Sequence, residues 1–271
     1  GGDRPILIDN NRPISNYDRA EEVEENLSLA DNEKELIQKA LKKHKCYLAR
    51  YISEFDNPKF SKFWYVIKDQ FIPIEDFSRN TRNQVKKGLK NCEVKKVSQE
   101  YYRENCYDIY KASMLSYGLS FISREKFEKV QREVENREYW VVLEIETSTP
   151  IAYSNNLINN ESCNYAFIKY HPDYLSLYPS YALHYEMDKH YLLDRKMKFV
   201  NMGAKTLYHE TSVQDFVIQK FKYRKAYCKL NIVYKPIIGL IVKAAFPFRK
   251  IIYPLKINKI SALLKQHEAA N

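Results

Sequence analysis

Arg79, Arg82, Lys86 and Lys90 stand at i, i+3, i+7 and i+11. That spacing places them along one face of a helix. Such a face can neutralise a phosphate backbone such as RNA. It can equally be a solvated surface, with Val85 and Leu89 turned inward. A second set of residues could move protons. His184 and Glu186 lie in one apolar stretch, and His209 directly precedes Glu210-Thr211. A histidine or a carboxylate can serve as general base toward a nucleophile. His184 also reads as a structural histidine among aromatic neighbours, and His209 as turn chemistry ahead of a Thr211 cap.

Other chemistries are excluded or disfavoured. The five cysteines are widely spread and form no C-x-x-C, so zinc and thioredoxin-like motifs are not expected. Buried, reduced thiols in a cytosolic protein are the expectation. No metal site is expected. The chain has six glycines, where average usage of roughly 7% gives about 19. Gly1 and Gly2 look like a cloning scar. The other four spell neither G-x-G-x-x-G nor G-x-x-x-x-G-K-[ST], so a dinucleotide fingerprint and a P-loop are absent.

The elements that must position these groups alternate between strand and helix patterns. An extended arm over 3–16 precedes a helix beginning near Asn32. Strand-like runs follow at Cys46 to Phe55 and Phe63 to Lys68, separated by Asp56-Asn57-Pro58. A basic helix, Ser78 to Asn91, takes Ser78 as its cap. A short strand over Glu93 to Val97 leads into a helix capped by Ser98. That helix runs through Tyr102, Cys106, Ile109 and Tyr110 to a left-handed Gly118. A charged helix spans Ser123 to Asn136. Three strands at 139–145, 151–158 and 163–170 are close enough to be joined as hairpins. A largely buried helix covers Pro179 to Lys196, then a strand ends at Gly203. Thr211-x-x-Gln214 opens a helix to Phe221, and Tyr223 to Tyr234 forms a last strand.

Charge is unevenly distributed over the 271 residues, whose formal net charge is +10. Residues 1–35 hold ten acids and four bases, whereas 79–96 and 235–271 each hold seven bases and one acid. The asymmetry suits a polyanionic partner. After Lys235 the chain mixes apolar and basic residues. Pro247 and Pro254 forbid one helix there, so two short amphipathic helices are expected. These either pack on the domain or lie on an anionic membrane. No uncharged apolar run there approaches the roughly 18 residues of a membrane span. A cytoplasmic location, with peripheral contact at the inner membrane face as an option, is the expectation.

The order of strand, two helices, three antiparallel strands, long helix, strand, helix and strand over 93–234 resembles the GNAT acyltransferase fold. Within it, Arg79 to Val94 and Phe199-Val-Asn201-Met-Gly203, followed by Phe221-Lys-Tyr223, most resemble Fem-type aminoacyl or peptidyl transferases. The expected class is therefore α/β (α+β), with a mixed, mostly antiparallel sheet flanked by helices. Its expected divisions are an acidic arm (1–35), an abbreviated α/β unit (36–92), the GNAT-like domain (93–234) and a basic apolar tail (235–271).

The resemblance implies an acyltransferase acting on an amine acceptor, with acyl-CoA or aminoacyl-tRNA as donor. It places the donor in a gap between two splayed strands, near Phe167, Ile168, Lys169 and Asn201. The donor's phosphates would rest on the helix start at Tyr178, Ser180 and Tyr181. The loop there has no glycine, and Pro179 offers no N–H, which weakens acetyl-CoA as donor. His184, Glu186 and His209 are the candidate bases. Tyr185 and Tyr227 are candidate acids in place of the family's usual tyrosine. Backbone N–H groups over Tyr165 to Lys169 would face the oxyanion. The alternative is a non-catalytic GNAT-fold protein that uses its basic surface to bind RNA, another polyanion or a membrane.

Overall fold

The computed structural model describes residues 6–8, 33–43, 46–59, 61–132, 136–159, 161–207, 212–255 and 258–271. Its contacts divide the chain into two units, neither continuous in sequence. One comprises residues 1–65, 204–211 and 225–271, the other 66–203 and 212–224.

In the second unit, α2 (Arg79–Asn91) leads directly into β4 (Cys92–Val97). Ser78 caps α2, its Oγ accepting the Thr81 N–H at 3.3 Å. Then come α3 (Gln99–Asn105), α4 (Tyr107–Ser116) and α5 (Arg124–Arg132). The strands β5 (Arg137–Glu144), β6 (Pro150–Ile158) and β7 (Ser162–Tyr170) form the antiparallel centre. Beyond them lie α6 (Pro179–Asp188), β8 (Phe199–Ala204) and α7 (Ser212–Phe221). The strand order is β8-β7-β6-β5-β4, with β7 and β8 parallel.

Strand alternation gives this sheet two apolar faces. Tyr139, Val141, Leu143 and Tyr153 pack on one side with Tyr102, Ile109 and Phe127 from the helices. The other side, bearing Trp140, Ser154, Asn156 and Tyr165, meets α6 and the turn after it.

The expected single helix from Ser98 is two. It breaks at Cys106, whose φ of −101° and ψ of −4° leave helical geometry. The end at Gly118 is as expected. Gly118 has a φ of +64°, its N–H bonds to Leu115 and the Leu119 N–H to Met114, which is a Schellman arrangement. The long helix expected from Pro179 is α-helical only to Asp188 and continues as a π-helical turn, Lys189–Asp194. The wider turn carries Tyr191 onto the sheet. There its hydroxyl accepts from Trp140 Nε1 (2.8 Å) and Asn156 Nδ2 (3.2 Å) and donates to Glu138 (2.9 Å).

In the first unit, β1 (Ile6–Ile8), β2 (Leu48–Ser53) and β9 (Arg224–Tyr234) are antiparallel neighbours, with Leu48 opposite Tyr234 and Ser53 opposite Lys229. The helix α1 (Glu33–Lys43) packs on β2 through Ile37 and Leu41. The strand β3 (Phe63–Lys68) begins in this unit and ends in the other. After β9 come α8 (Pro236–Ala245), α9 (Arg249–Ile252) and α10 (Asn258–Ala270). The tail therefore holds three helices where two were expected, with α8 and α9 joined by a 3-10 turn at Phe246–Phe248. All five cysteines are buried. Among the described residues no helix is long and apolar enough to cross a membrane.

Candidate active site in the second unit

The strands β7 and β8 pair over only three positions, Ser162 to Asn164 against Phe199 to Asn201. Beyond them β7 runs on to Tyr170 and β8 to Ala204 with no register between the two. One further irregularity lies at the point of divergence. Asn155 of β6 faces Phe167 while Asn156 faces Tyr165, so Ala166 is an extra residue on β7. A bulge of this kind turns the local backbone and re-aims the residues after it.

Half-buried Phe167, Ile168 and Lys169 follow that bulge. Burial lowers the pKa of the Lys169 ammonium. On the facing strand, Asn201 Oδ1 accepts the Gly203 N–H at 2.8 Å. Gly203 has a φ of +94°, and a Cβ there would meet no atom within 4 Å. The divergence therefore opens beside small and half-buried groups, which suits an extended ligand arm.

Tyr178 sits at the head of α6 with φ 61° and ψ 40°, a left-handed conformation that glycine adopts without strain. Its carbonyl accepts the N–H groups of Tyr181 (3.1 Å) and Ala182 (3.3 Å), and its own N–H bonds to Leu175. Pro179 has no N–H. Few first-turn donors therefore remain for a phosphate. α2 crosses close by. A Cβ on Gly88 would lie 2.7 Å from the Tyr178 carbonyl oxygen and 3.1 Å from the Ala182 nitrogen.

The outward side of α2 carries Arg79, Lys86, Lys87 and Lys90, all exposed. None of the four has an acid partner among the described residues. Arg82 is drawn aside, its guanidinium donating to the Glu75 carbonyl at 3.2 Å. Lys87, outside the four-residue spacing, lies 5.6 Å from the centre of the Tyr178 ring. The cationic face thus reaches the head of α6 through a residue that the periodicity passed over. The buried side is Thr81, Val85 and Gly88, so Leu89 is only partly covered.

The remaining candidates do not converge on one point. His184 is 1% exposed, and its ring packs on Tyr165, Phe216 and Phe221. Burial lowers its pKa to about 4, so it is neutral at ordinary pH, and Nδ1 has no hydrogen-bond partner among the described residues. Glu186 is half-buried and burial raises its pKa. The Tyr185 ring leans on Phe71 and Phe77. Tyr181 is buried against Phe216 and Phe221, and Ser180 is half-buried in the first turn. Tyr227 belongs to the first unit, where its ring meets Trp64. His209 lies outside the described residues.

Sequence reading missed a buried polar cluster in this unit. Asp188, fully buried, accepts from Lys68 Nζ at 2.7 Å, Tyr165 at 3.0 Å and Tyr223 at 2.6 Å. The Lys68 ammonium also lies 5.5–5.9 Å from the rings of Phe77, Phe221 and Tyr223. Burial, then the Asp188 charge, push both phenols well above their ordinary range. Removing one partner of a buried pair like this costs ~3–5 kcal/mol, because the other charge is stranded. A second polar node surrounds Glu138, which Lys96 (2.9 Å) and Arg195 (2.7 Å) contact. Burial alone would raise its pKa, but hydrogen bonds from Lys96 and Tyr191 and the two cations hold it low. Only alternation could have hinted at either node, because Lys68, Asp188 and Tyr223 meet through long-range closure. Among the described residues no cluster of His, Cys, Asp or Glu is able to hold a metal ion.

No family model matches the chain, and no curated protein matches it. Solved structures do. A crystal structure of FemX superposes with a TM-score of 0.57 at 11% identity, covering 76% of this chain and 77% of that one. A conserved protein of unknown function from Bacteroides thetaiotaomicron gives 0.46 at 11% identity, covering 74% of each chain. A GCN5-related N-acetyltransferase-like protein from Streptococcus suis gives 0.34 at 12%, covering 64% of this chain and 61% of that one. At these identities the likeness is one of fold, and the chain has the mixed, mostly antiparallel GNAT-type fold of FemX.

Proposed function

We propose that this chain is an acyltransferase that moves an acyl or aminoacyl group onto an amine, with its donor seated where β7 and β8 diverge. The observation that carries this reading is the three-residue pairing of those strands followed by their separation. The open side of Gly203 and the half-buried Lys169 support it. The head of α6 offers few N–H groups and is crowded by α2, which disfavours a pyrophosphate cradled by backbone. The exposed cations Lys86, Lys87 and Lys90 suit a donor whose phosphates are held by side chains. That favours aminoacyl-tRNA over acetyl-CoA. His184 is too enclosed to be the base, so among the described residues Glu186 and Lys169 are the groups offered to take the amine's proton.

Thermal shift and turnover would test this with acetyl-CoA, longer acyl-CoAs and aminoacyl-tRNA at two salt concentrations. We expect a shift and amide formation with aminoacyl-tRNA. Changing Lys86, Lys87 and Lys90 to Gln should weaken donor binding about tenfold or more and flatten its salt dependence. Lys169→Met should lower turnover while leaving donor binding in place. No transfer from any donor, with tRNA binding that uncharged tRNA matches, would favour the second reading, a non-catalytic polyanion-binding protein. That reading draws on the enclosed, neutral His184.

A further inference from the structure

The first unit exposes an apolar stripe that the acyl-transfer reading does not use. On α8, Ile237, Leu240 and Ile241 are exposed, at i, i+3 and i+4. Phe248, Ile251 and Leu255 continue the i, i+3, i+7 spacing through the 3-10 turn and α9. The six side chains are between 49% and 72% exposed. Helix periodicity puts Ile237, Leu240 and Ile241 on one side of α8, and α9 with its two flanking turns carries the other three. The opposite side is the packed one. Val242 is buried, Phe246 meets the ring of His267 on α10 at 4.8 Å, and α10 touches both α8 and α9. The stripe is therefore the outer face of a helical layer whose inner face already has its partner. Scattered exposed leucines need no explanation, but a contiguous row of this kind does.

The charge around it selects the occupant. Between Asp215 and Glu268 the sequence has no acidic residue. Lys243 and Lys250 are exposed, seven residues apart, between the stripe and the packed side, and neither has an acid partner among the described residues. Arg249 is already engaged, paired with Glu268 at 3.2 Å. A second copy packed face to face through this stripe would bring the same cations against themselves and add no acid from this segment to meet them. A surface of acyl chains beneath anionic headgroups would accept both the apolar row and its flanking ammonium groups. We infer that α8, α9 and the turns joining them form an in-plane docking face for an anionic lipid bilayer. Ile237, Leu240, Phe248 and Ile251 enter the acyl boundary, and Lys243 and Lys250 lie at headgroup level.

The test is sedimentation of the full chain with phosphatidylcholine vesicles, with and without phosphatidylglycerol. We expect binding to the phosphatidylglycerol vesicles and little to the neutral ones. Leu240→Asn combined with Ile251→Asn should weaken binding about tenfold or more, since two large apolar side chains no longer enter the boundary. Lys243→Gln with Lys250→Gln should remove the preference for the anionic lipid. All four side chains are exposed, so the variants are expected to keep the fold, which circular dichroism verifies. Ile251→Cys gives an independent readout, because all five native thiols are buried. An environment-sensitive dye on that position should shift to the blue on phosphatidylglycerol vesicles. Absence of binding to anionic vesicles overturns the inference. So does binding that the Asn pair leaves unchanged, because charge alone would then account for it. A stable dimer that the Asn pair dissociates would assign the stripe to a second copy instead.

Discussion

His184 shows how far a residue type is from a role. Its position on the helix was legible, because the apolar stripe around it is continuous in sequence. Its enclosure was not, because Phe216 and Phe221 come from a helix about thirty residues later. The consequence is measurable. Burial lowers the folded-state pKa to about 4, below the ordinary 6.5. The unfolded chain therefore takes up the proton first as pH falls. The stability tied to a neutral His184 is complete above pH ~6.5 and is lost as pH drops toward ~4, roughly 3 kcal/mol in all. His184→Phe keeps an aromatic ring in an aromatic pocket and cannot titrate. Urea denaturation at several pH values should show that this part of the slope has vanished in the variant. An unchanged slope would mean that the imidazole is protonated, or reached by water, in the folded state.

At the scale of elements, capping and turn chemistry were the most legible features. Ser78, Ser98 and Gly118 occupy the positions that their local physics demands, since each bond spans only a few residues. The break at Cys106 and the π-helical turn at Lys189–Asp194 were not legible, because both serve packing on a distant sheet. Gly88 belongs to this second kind. It sits inside α2, where glycine is intrinsically unfavourable by about 1 kcal/mol relative to alanine. Propensity alone therefore predicts that Gly88→Ala stabilises. The geometry predicts the reverse, since the new Cβ would lie 2.7 Å from the Tyr178 carbonyl oxygen, a backbone atom that cannot swing away. Overpacking of this sort typically costs ~1–3 kcal/mol. A lowered melting temperature for Gly88→Ala is the expected outcome. A raised one would mean that α2 and α6 can move apart at no penalty, and that the crowding at the head of α6 is weaker than described.

Across the whole molecule, the antiparallel run of β5, β6 and β7 was readable because short turns join these strands. The composition of the first unit was not, because β2 pairs with β9 across more than 170 residues, and no local pattern announces such a closure. This arrangement makes the C-terminal segment a structural component of that unit. Phe63, Cys228 and Leu230 form a cluster covered in part by Ala269 and Ala270, and Leu264 is fully buried. Tyr234 at the end of β9 faces the ring of His267 at 5.9 Å. Removing residues 235–271 would uncover this cluster while leaving every residue of the second unit in the chain. Stability in proteins is distributed over locally cooperative regions. Native-state hydrogen exchange on the shortened chain should therefore show β9 amides losing protection, while those of β5 and β6 keep most of theirs. Equal loss in both strand sets would mean that the two units unfold as one, and retained protection in β9 would mean that α10 is dispensable to the sheet it covers. Only the first pattern allows the docking helices to be altered without disturbing the strands that diverge at Asn164 and Asn201, and so allows membrane attachment and acyl transfer to be measured apart.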